Sequence, residues 1–358
     1  MEKTSICVIG SGNWATAIAK IVAENASILA DVEDRVNMFV YEEKFEGKRL
    51  SELINTLHVN EKYAPQLKLP ENVVAVTDLV ETAKYADIII FVMPHPLIPD
   101  FCRTLLGKIK PDALAISVTK GFTPAEGAGF QLVSHTITKY LKVPCAVLMG
   151  ANLATELTLD NYCEATLGCR DAKHAKLFKD ILQSQNFRVT VVDDADCVEV
   201  CGFLKHLLSF GAGLLDGFDC NVNTKSACIR FGFLEMIRFI DVFYPGSKLS
   251  TFFESCGLAD LITVCSASRN RRIAAAFVKT ERRYEELELQ LLGGEKLIGP
   301  VAASAVSVML KQKGLEDKFP LFTTIHKICQ YTVKPEEILN CIRKIPDIIY
   351  HPTHVFPL

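Results

Sequence analysis

What this sequence lacks narrows its reading before any motif is considered. It has no lysine- or arginine-rich block and no basic stripe interleaved with aromatics. With a formal net charge of −3 spread over 358 residues, it offers no footprint for nucleic acid, and any anion site is expected to be small and local. It has no signal-peptide core at its start, and no apolar stretch reads as long enough to cross a bilayer. Its last residues, Val355-Phe356-Pro357-Leu358, match no targeting tail. It has no CxxC pair of the kind that marks a zinc site, and its 13 cysteines are odd in number and scattered, several within apolar runs (Cys7, Cys145, Cys201). Buried thiols in a reducing compartment fit that pattern, so the expectation is a soluble cytoplasmic protein without a metal, a membrane or a nucleic-acid partner. Internal repeats and low-complexity linkers are also missing.

What is present is enough for a sizeable core: 49% of the residues are apolar and 23% charged, and the length suggests two domains. The most informative stretch is Ile6-Cys7-Val8-Ile9-Gly10-Ser11-Gly12-Asn13-Trp14-Ala15. An apolar, β-branched run reads as a buried parallel strand. It enters a Gly-x-Gly-x-x-Ala turn and continues into helix formers, the context that a dinucleotide fingerprint requires. Gly10 permits the tight turn and Gly12 lets a pyrophosphate approach the backbone. Ala15 keeps helix and strand in contact, and the helix start turns its free N–H groups toward the anion. The plainer alternative is a tight turn that only packs a helix on a strand.

A second strand is expected over 35–41, ending at Glu42-Glu43, where a carboxylate can accept from the adenosine ribose and repel a 2′-phosphate; this favours NAD over NADP. Further strands are expected over 73–76, 87–93, 114–118, 145–149, 163–168 and 187–192, with helices over 79–85, 98–106 and 129–141 between them. This βαβ rhythm predicts an α/β fold, with a Rossmann-like, mainly parallel sheet in an N-terminal domain spanning 1–193. Four polar punctuations, Gly10-Ser11-Gly12, Pro94-His95-Pro96, Thr119-Lys120-Gly121 and Gly150-Ala151-Asn152, fall at strand ends that such a sheet gathers into one crevice. Past Asp193-Asp194 the pattern becomes helical, over 224–244, 269–278, 284–292 and 302–313, with a short turn over 251–255. An all-α second domain, 194–358, is therefore expected to pack closely on the first and leave a cleft.

Several residues in these segments are candidates for chemistry. Lys205 sits among Cys201, Leu204, Leu207 and Leu208 on a long helix. Such a lysine either snorkels to water or serves as an acid–base group tuned by its surroundings. Asp260, inside an apolar stretch, needs a cationic partner, and Lys205 is a candidate. Lys120 falls in the expected crevice and is otherwise an ordinary loop lysine. Arg269-Asn270-Arg271-Arg272 opens a helix, where a guanidinium and free N–H groups can hold a phosphate, unless the run is a solvated face. Gly293-Gly294-Glu295-Lys296-Leu297-Ile298-Gly299-Pro300 is a glycine-bounded loop suited to closing over a ligand, and His95, between prolines, reads as structural.

With these segments in view, the chain resembles the cytosolic, eukaryotic-type NAD-dependent glycerol-3-phosphate dehydrogenases, the insect members most of all. The resemblance rests on Gly10-Ser11-Gly12-Asn13-Trp14, Pro94-His95, Lys120-Gly121, Leu148-Met149-Gly150-Ala151-Asn152, Asn223-Thr224-Lys225, Glu254-Ser255-Cys256-Gly257, Ala259-Asp260-Leu261-Ile262-Thr263, Arg269-Asn270-Arg271 and Lys318-Phe319-Pro320-Leu321-Phe322. It implies a homodimer that reversibly reduces dihydroxyacetone phosphate to sn-glycerol 3-phosphate with NADH. It also implies that Lys205 is the catalytic lysine, that Lys120 and Asp260 orient substrate and lysine, and that Arg269 and Asn270 contact the phosphate. Tyr41 matches an aromatic position against the adenine. Ala154 and Lys296 match cofactor contacts, as do Lys120, Arg269 and the positions of Leu97 and Ile298.

The sequence also departs from the pattern of that family. His206 follows the lysine where asparagine is common, and Val264 replaces a threonine. Ser266-Ala267-Ser268 replaces Tyr-Gly-Gly, and Glu295 and Ile298 replace glutamines. Leu97 replaces phenylalanine, and Ala15 stands for the third fingerprint glycine. Losing one polar contact costs about 1.5–3 kcal/mol when a charge is involved. A catalytically weakened paralogue acting as an NAD-binding or dimerisation partner is thus the alternative to an active enzyme. A related dehydrogenase with another phosphorylated or acidic substrate is a third reading.

Overall fold

The structure is a computed structural model that describes residues 3–125 and 129–345, so the Val355-Phe356-Pro357-Leu358 tail lies outside the described residues. The chain divides into two compact units, Met1–Thr123 with Gln131–Glu199, and Pro124–Phe130 with Val200–Leu358. The division falls inside the helix Ala195–Gly217.

The first unit is built on an eight-stranded sheet. Its strands are β1 (Thr4–Ile9), β2 (Val32–Phe39), β3 (Val73–Val76), β4 (Ile88–Phe91), β5 (Leu114–Ser117), β6 (Cys145–Met149), β7 (Cys163–Gly168) and β8 (Phe187–Val192), in the order β8-β7-β6-β5-β4-β1-β2-β3. All neighbours run parallel except β6 and β7. The apolar runs have no polar face because both sides of the sheet are covered. Ile6, Val8, Ile88 and Ile90 join one buried cluster with Ile18 and Val22 of the helix Asn13–Ala26, while Cys7, Ile9, Ile89 and Phe91 join the other with Ile98, Cys102 and Ile137. From β3 the chain crosses back past β1 to form β4. The carboxyl ends of β1 and β4 therefore flank a topological switch point, where ligands of such sheets bind.

Some elements differ from expectation. β2 stops at Phe39, whose partner Val76 is the last residue of β3, so Tyr41 lies beyond the ladder. The start of the helix expected over 129–141 is extended instead: Phe130–Leu132 pairs with Phe122–Pro124, and the helix is Val133–Leu141. Between β2 and β3 stand two small hairpins, Lys44–Phe45 with Lys48–Arg49 and Val59–Asn60 with Ala64–Lys68, and the helix Leu50–Leu57.

From Val200 on, the described residues of the second unit form helices and turns. The helix Ala195–Gly217, which leads into it, is long and apolar enough by length and composition to cross a membrane, contrary to the expectation that no stretch would be. Its apolar stretch is entirely buried, and it serves as a core helix. The helix Arg269–Thr280 packs close against it because Gly213 has no side chain: a Cβ there would lie 2.3 Å from the Arg271 carbonyl oxygen. The helix Ile298–Lys313 starts earlier than expected, since Pro300 lies in its first turn, where the missing N–H costs nothing.

Two buried carboxylates cap helices whose own N-cap residues supply no side-chain acceptor. Glu199 accepts from the backbone N–H of Ser134 at 3.2 Å and from its hydroxyl, at the start of Val133–Leu141. Glu235 accepts from Leu321 and Phe322 N–H at 2.8 and 2.9 Å, at the start of Pro320–Cys329. Burial pushes these acids up to about 7 and about 8. Across the window from their ordinary value of 4.5 to those values, the folded chain holds protons that the unfolded chain has released. Stability therefore falls as pH rises through that window, by at most about 1.4 kcal/mol per pH unit for each acid. Urea unfolding between pH 5 and 8 is expected to show that decline, and the double variant Glu199→Gln/Glu235→Gln a flatter one. Equal slopes would remove these two acids as its cause.

Candidate active site

In the first unit the fingerprint turn is shaped by contact. Gly10 has φ +142°, and a Cβ there would lie 2.0 Å from the Val92 carbonyl oxygen, so β1 and the chain leaving β4 touch backbone to backbone. Ala15 is buried beneath them. Gly12 is the N-cap of the helix Asn13–Ala26 and provides no side-chain acceptor; a Cβ there would meet nothing within 4 Å. The result is a helix N-terminus facing open space across a bare backbone. Trp14 anchors the turn edge-on against Phe187, with ring centroids 6.3 Å apart.

A residue that sequence reasoning missed holds this turn in shape. Asn60 is fully buried; its amide donates to the Ser11 carbonyl at 2.9 Å and to the Thr16 hydroxyl at 2.8 Å, and its oxygen accepts from Tyr63 N–H at 3.2 Å. The Thr16 hydroxyl in turn donates to the Gly12 carbonyl at 2.9 Å. Asn60 lies in a hairpin too short to carry a periodic pattern, so no local signal marked it. Two more buried polar atoms, Asn13 Oδ1 and Asn152 Nδ2, have no hydrogen-bond partner among the described residues. An open backbone cradle at a helix start and the orphaned Asn152 Nδ2 donor beyond β6 fit a dinucleotide diphosphate, while the Asn13 Oδ1 acceptor suits a hydroxyl or amide donor of such a ligand.

Tyr41 and Leu97 are exposed at 71% and 44%, available to a ligand face. The acids expected at the ribose are partly engaged: Glu42 accepts from Ser51 N–H at 3.3 Å and from its hydroxyl, and Glu43 pairs with Lys62. Ala154 opens the short helix Ala154–Thr158. Lys120 is half-buried, and its backbone is hydrogen-bonded to His95. The His95 ring lies so close to Gly121 that a Cβ would come within 2.3 Å of it; burial pushes this imidazole below its ordinary value. His95 thus shapes the Lys120 loop.

In the second unit Lys205 is completely buried, as are Cys201, Leu204 and Leu207, so it does not snorkel. Its ammonium forms an ion pair with Asp260, itself 2% exposed. A π-helical turn, Ser255–Ala259, runs without a break into the helix Asp260–Ala267, and Asp260 stands at the junction. Arg269 and Asn270 open the next helix, capped by Ser268, whose hydroxyl accepts from Arg271 N–H at 3.2 Å. Ser268 also shares a hydrogen bond with Ser209, which donates to the Val264 carbonyl at 2.9 Å, so the departure at Ser266-Ala267-Ser268 is locked to the long helix.

The loop before Ile298 is strapped from both sides. Arg269 pairs with Glu295, and the buried Glu288 accepts from Lys296 Nζ at 3.0 Å and Leu297 N–H at 2.9 Å. Asn270 Oδ1 accepts from Gly299 N–H at 2.8 Å, and Asn270 Nδ2 lies 3.2 Å from His206 Nδ1. A separate cavity of about 670 Å³ in the first unit, lined by His135, Lys139, Arg170, His174, Asp171 and Asp196 among others, contains none of the candidate residues.

Residues 5–175 match the family described as NAD-dependent glycerol-3-phosphate dehydrogenase N-terminus, and residues 194–340 match its C-terminus. The chain is 61% identical over 346 residues to the cytoplasmic glycerol-3-phosphate dehydrogenase [NAD(+)] of Drosophila ezoana, covering 97% of this chain and 99% of the relative. It is 47% identical over 348 residues to the rat protein, Rattus norvegicus, of the same name, covering 97% and 99%. Among solved structures, the Plasmodium falciparum glycerol-3-phosphate dehydrogenase is similar, with a TM-score of 0.92, 36% identity and coverage of 98% of this chain and 97% of that one.

The two fingerprint glycines should respond differently to substitution. Gly12→Val is expected to leave the melting temperature nearly unchanged and to weaken dinucleotide binding by about tenfold or more, because its side chain enters the space before the helix start. Gly10→Ala is expected to lower the melting temperature itself, since its Cβ meets backbone. Calorimetry and NADH fluorescence titration separate the two effects; undiminished NADH affinity in Gly12→Val would contradict the cradle.

Proposed function

The chain belongs to the NAD-dependent glycerol-3-phosphate dehydrogenase family, and we propose that it interconverts dihydroxyacetone phosphate and sn-glycerol 3-phosphate in the cytoplasm, with Lys205 moving the proton. NAD is its cofactor; when bound in reduced form, it supplies the hydride to the carbonyl carbon. The fingerprint backbone at Gly10, Ser11, Gly12 and Asn13 receives the diphosphate, with Trp14 and Ala15 fixing the helix behind it. Tyr41, Leu97, Ala154, Lys296 and Ile298 contact the rest of the cofactor.

Lys205 donates a proton to the ketone oxygen during reduction and removes it from the alcohol during oxidation. Asp260 holds the ammonium in place. Lys120 orients the substrate, and Arg269 and Asn270 take its phosphate, the guanidinium by charge-assisted hydrogen bonds at a helix start. The observation that carries this proposal is the fully buried Lys205 paired with Asp260. A charge so placed is costly to keep unless it is used.

The weakened-paralogue alternative is not favoured. Lys120, Lys205, Asp260, Arg269 and Asn270 are all present, and the departing residues His206 and Ser268 have hydrogen-bonded roles of their own. A homodimer is part of the proposal, supported by three exposed apolar side chains on consecutive elements of the second unit, Phe253, Leu258 and Ile262.

The test removes the proton donor without stranding a buried charge. Lys205→Met combined with Asp260→Asn is expected to lower kcat with dihydroxyacetone phosphate by about 10²–10⁴, the range of general acid–base contributions. NADH affinity should stay within about twofold, since this pair acts on the reacting oxygen and not on the cofactor. Turnover equal to the parent protein would exclude Lys205 as the proton donor.

A further inference from the structure

We infer that His206 is a positioning residue for substrate phosphate, holding the Asn270 amide in the one orientation that presents an N–H to it. This rests on the reading of Asn270 as a phosphate contact. The orientation follows from hydrogen-bond chemistry. A backbone N–H only donates, so the Asn270 atom that lies 2.8 Å from Gly299 N is the carbonyl oxygen. The atom 3.2 Å from His206 Nδ1 is then the amide nitrogen, which also only donates. His206 Nδ1 must therefore carry a lone pair, and the ring is neutral with its proton on Nε2. A flipped amide would oppose two donors at Gly299.

Three helices converge on this one side chain. Asn270 is the second residue of Arg269–Thr280, His206 belongs to Ala195–Gly217, and Gly299 lies in the first turn of Ile298–Lys313. Asn270 and His206 are 5% and 8% exposed. The fit is close on every side: a Cβ at Gly299 would come within 2.8 Å of Asn270 Oδ1 and of the His206 carbonyl oxygen. Asn270 Oδ1 is committed to Gly299, and one of the two amide hydrogens to His206. The second amide hydrogen remains for a ligand at the helix start, beside Arg269. Without the imidazole lone pair, nothing in this set distinguishes the two rotations of Nδ2 except the single bond to Gly299. Histidine stands here where asparagine follows the lysine in the resembled family, so this chain secures the phosphate contact through a residue of its own.

The test compares substrates with and without phosphate. His206→Leu removes the acceptor; His206→Asn keeps a carbonyl acceptor at the position. In His206→Leu, KM for dihydroxyacetone phosphate is expected to rise about tenfold, the loss of roughly one hydrogen bond. KM for NADH and kcat/KM for unphosphorylated dihydroxyacetone should hold within about twofold, and His206→Asn should recover most of the loss. The proposal is overturned if KM for dihydroxyacetone phosphate does not rise, if the unphosphorylated ketone suffers equally, or if His206→Asn recovers nothing. Asn270→Ala distinguishes the two levels of the inference. If it raises KM for dihydroxyacetone phosphate while His206→Leu does not, the phosphate contact stands and the role of His206 falls. If Asn270→Ala leaves that KM unchanged, the phosphate contact itself falls, and the proposal with it.

Discussion

The ion pair of Lys205 and Asp260 constrains this chain more than any other interaction. An ammonium and a carboxylate withdrawn from water cost several kcal/mol each, and their attraction offsets this only in close geometry. Removing one partner of such a pair costs about 3–5 kcal/mol. The surrounding elements supply that geometry. The Ala195–Gly217 helix buries Lys205 among Cys201, Leu204 and Leu207, and the π-helical turn Ser255–Ala259 runs into the helix that carries its partner Asp260. An ordinary core would put a leucine at position 205. Retaining a charge there makes sense where a reaction needs a proton held dry and aimed, as the reduction of a ketone does.

The first unit solves the opposite problem, leaving backbone N–H groups uncovered. Gly10 brings two strand ends into backbone contact and Gly12 keeps the helix start bare. Asn60 then ties the Ser11 carbonyl and the Thr16 hydroxyl together, so the turn keeps its shape without a ligand. One unit thus offers an anion cradle and the other a buried ammonium paired with a carboxylate. Their chemistries match the two things a hydride-transfer enzyme must hold, a dinucleotide and a polarised carbonyl.

Much of this was legible in the sequence, for physical reasons. Parallel strands buried on both faces are continuous apolar runs, and Ile88–Phe91 and Cys145–Met149 could be read as such directly. The fingerprint was legible because strand, glycine turn and helix are contiguous. Lys205 was ambiguous, since a lysine with apolar neighbours at helical spacing can either snorkel or stay buried. Only the absence of any solvent-facing side around it decides between them. The two-residue strand that carries Asn60 has no periodicity to detect, and Pro300 disguised the first turn of its helix as a loop. The partnerships of His206 with Asn270 and of Ser209 with Ser268 join residues 64 and 59 positions apart, and no local pattern encodes them. His206 and Ser268 looked like losses in the sequence, yet each makes a hydrogen bond in the fold.

The protonation state of Lys205 tests the central claim most directly. Lysine labelled with nitrogen-15 at Nζ can be observed by NMR across the neutral pH range, with Lys205 assigned from the Lys205→Met spectrum. The account requires an ammonium resonance for Lys205 in the parent protein and its conversion to the neutral amine in Asp260→Asn, where burial is no longer opposed by a carboxylate. A neutral amine with Asp260 in place, or an ammonium indifferent to its removal, would contradict it.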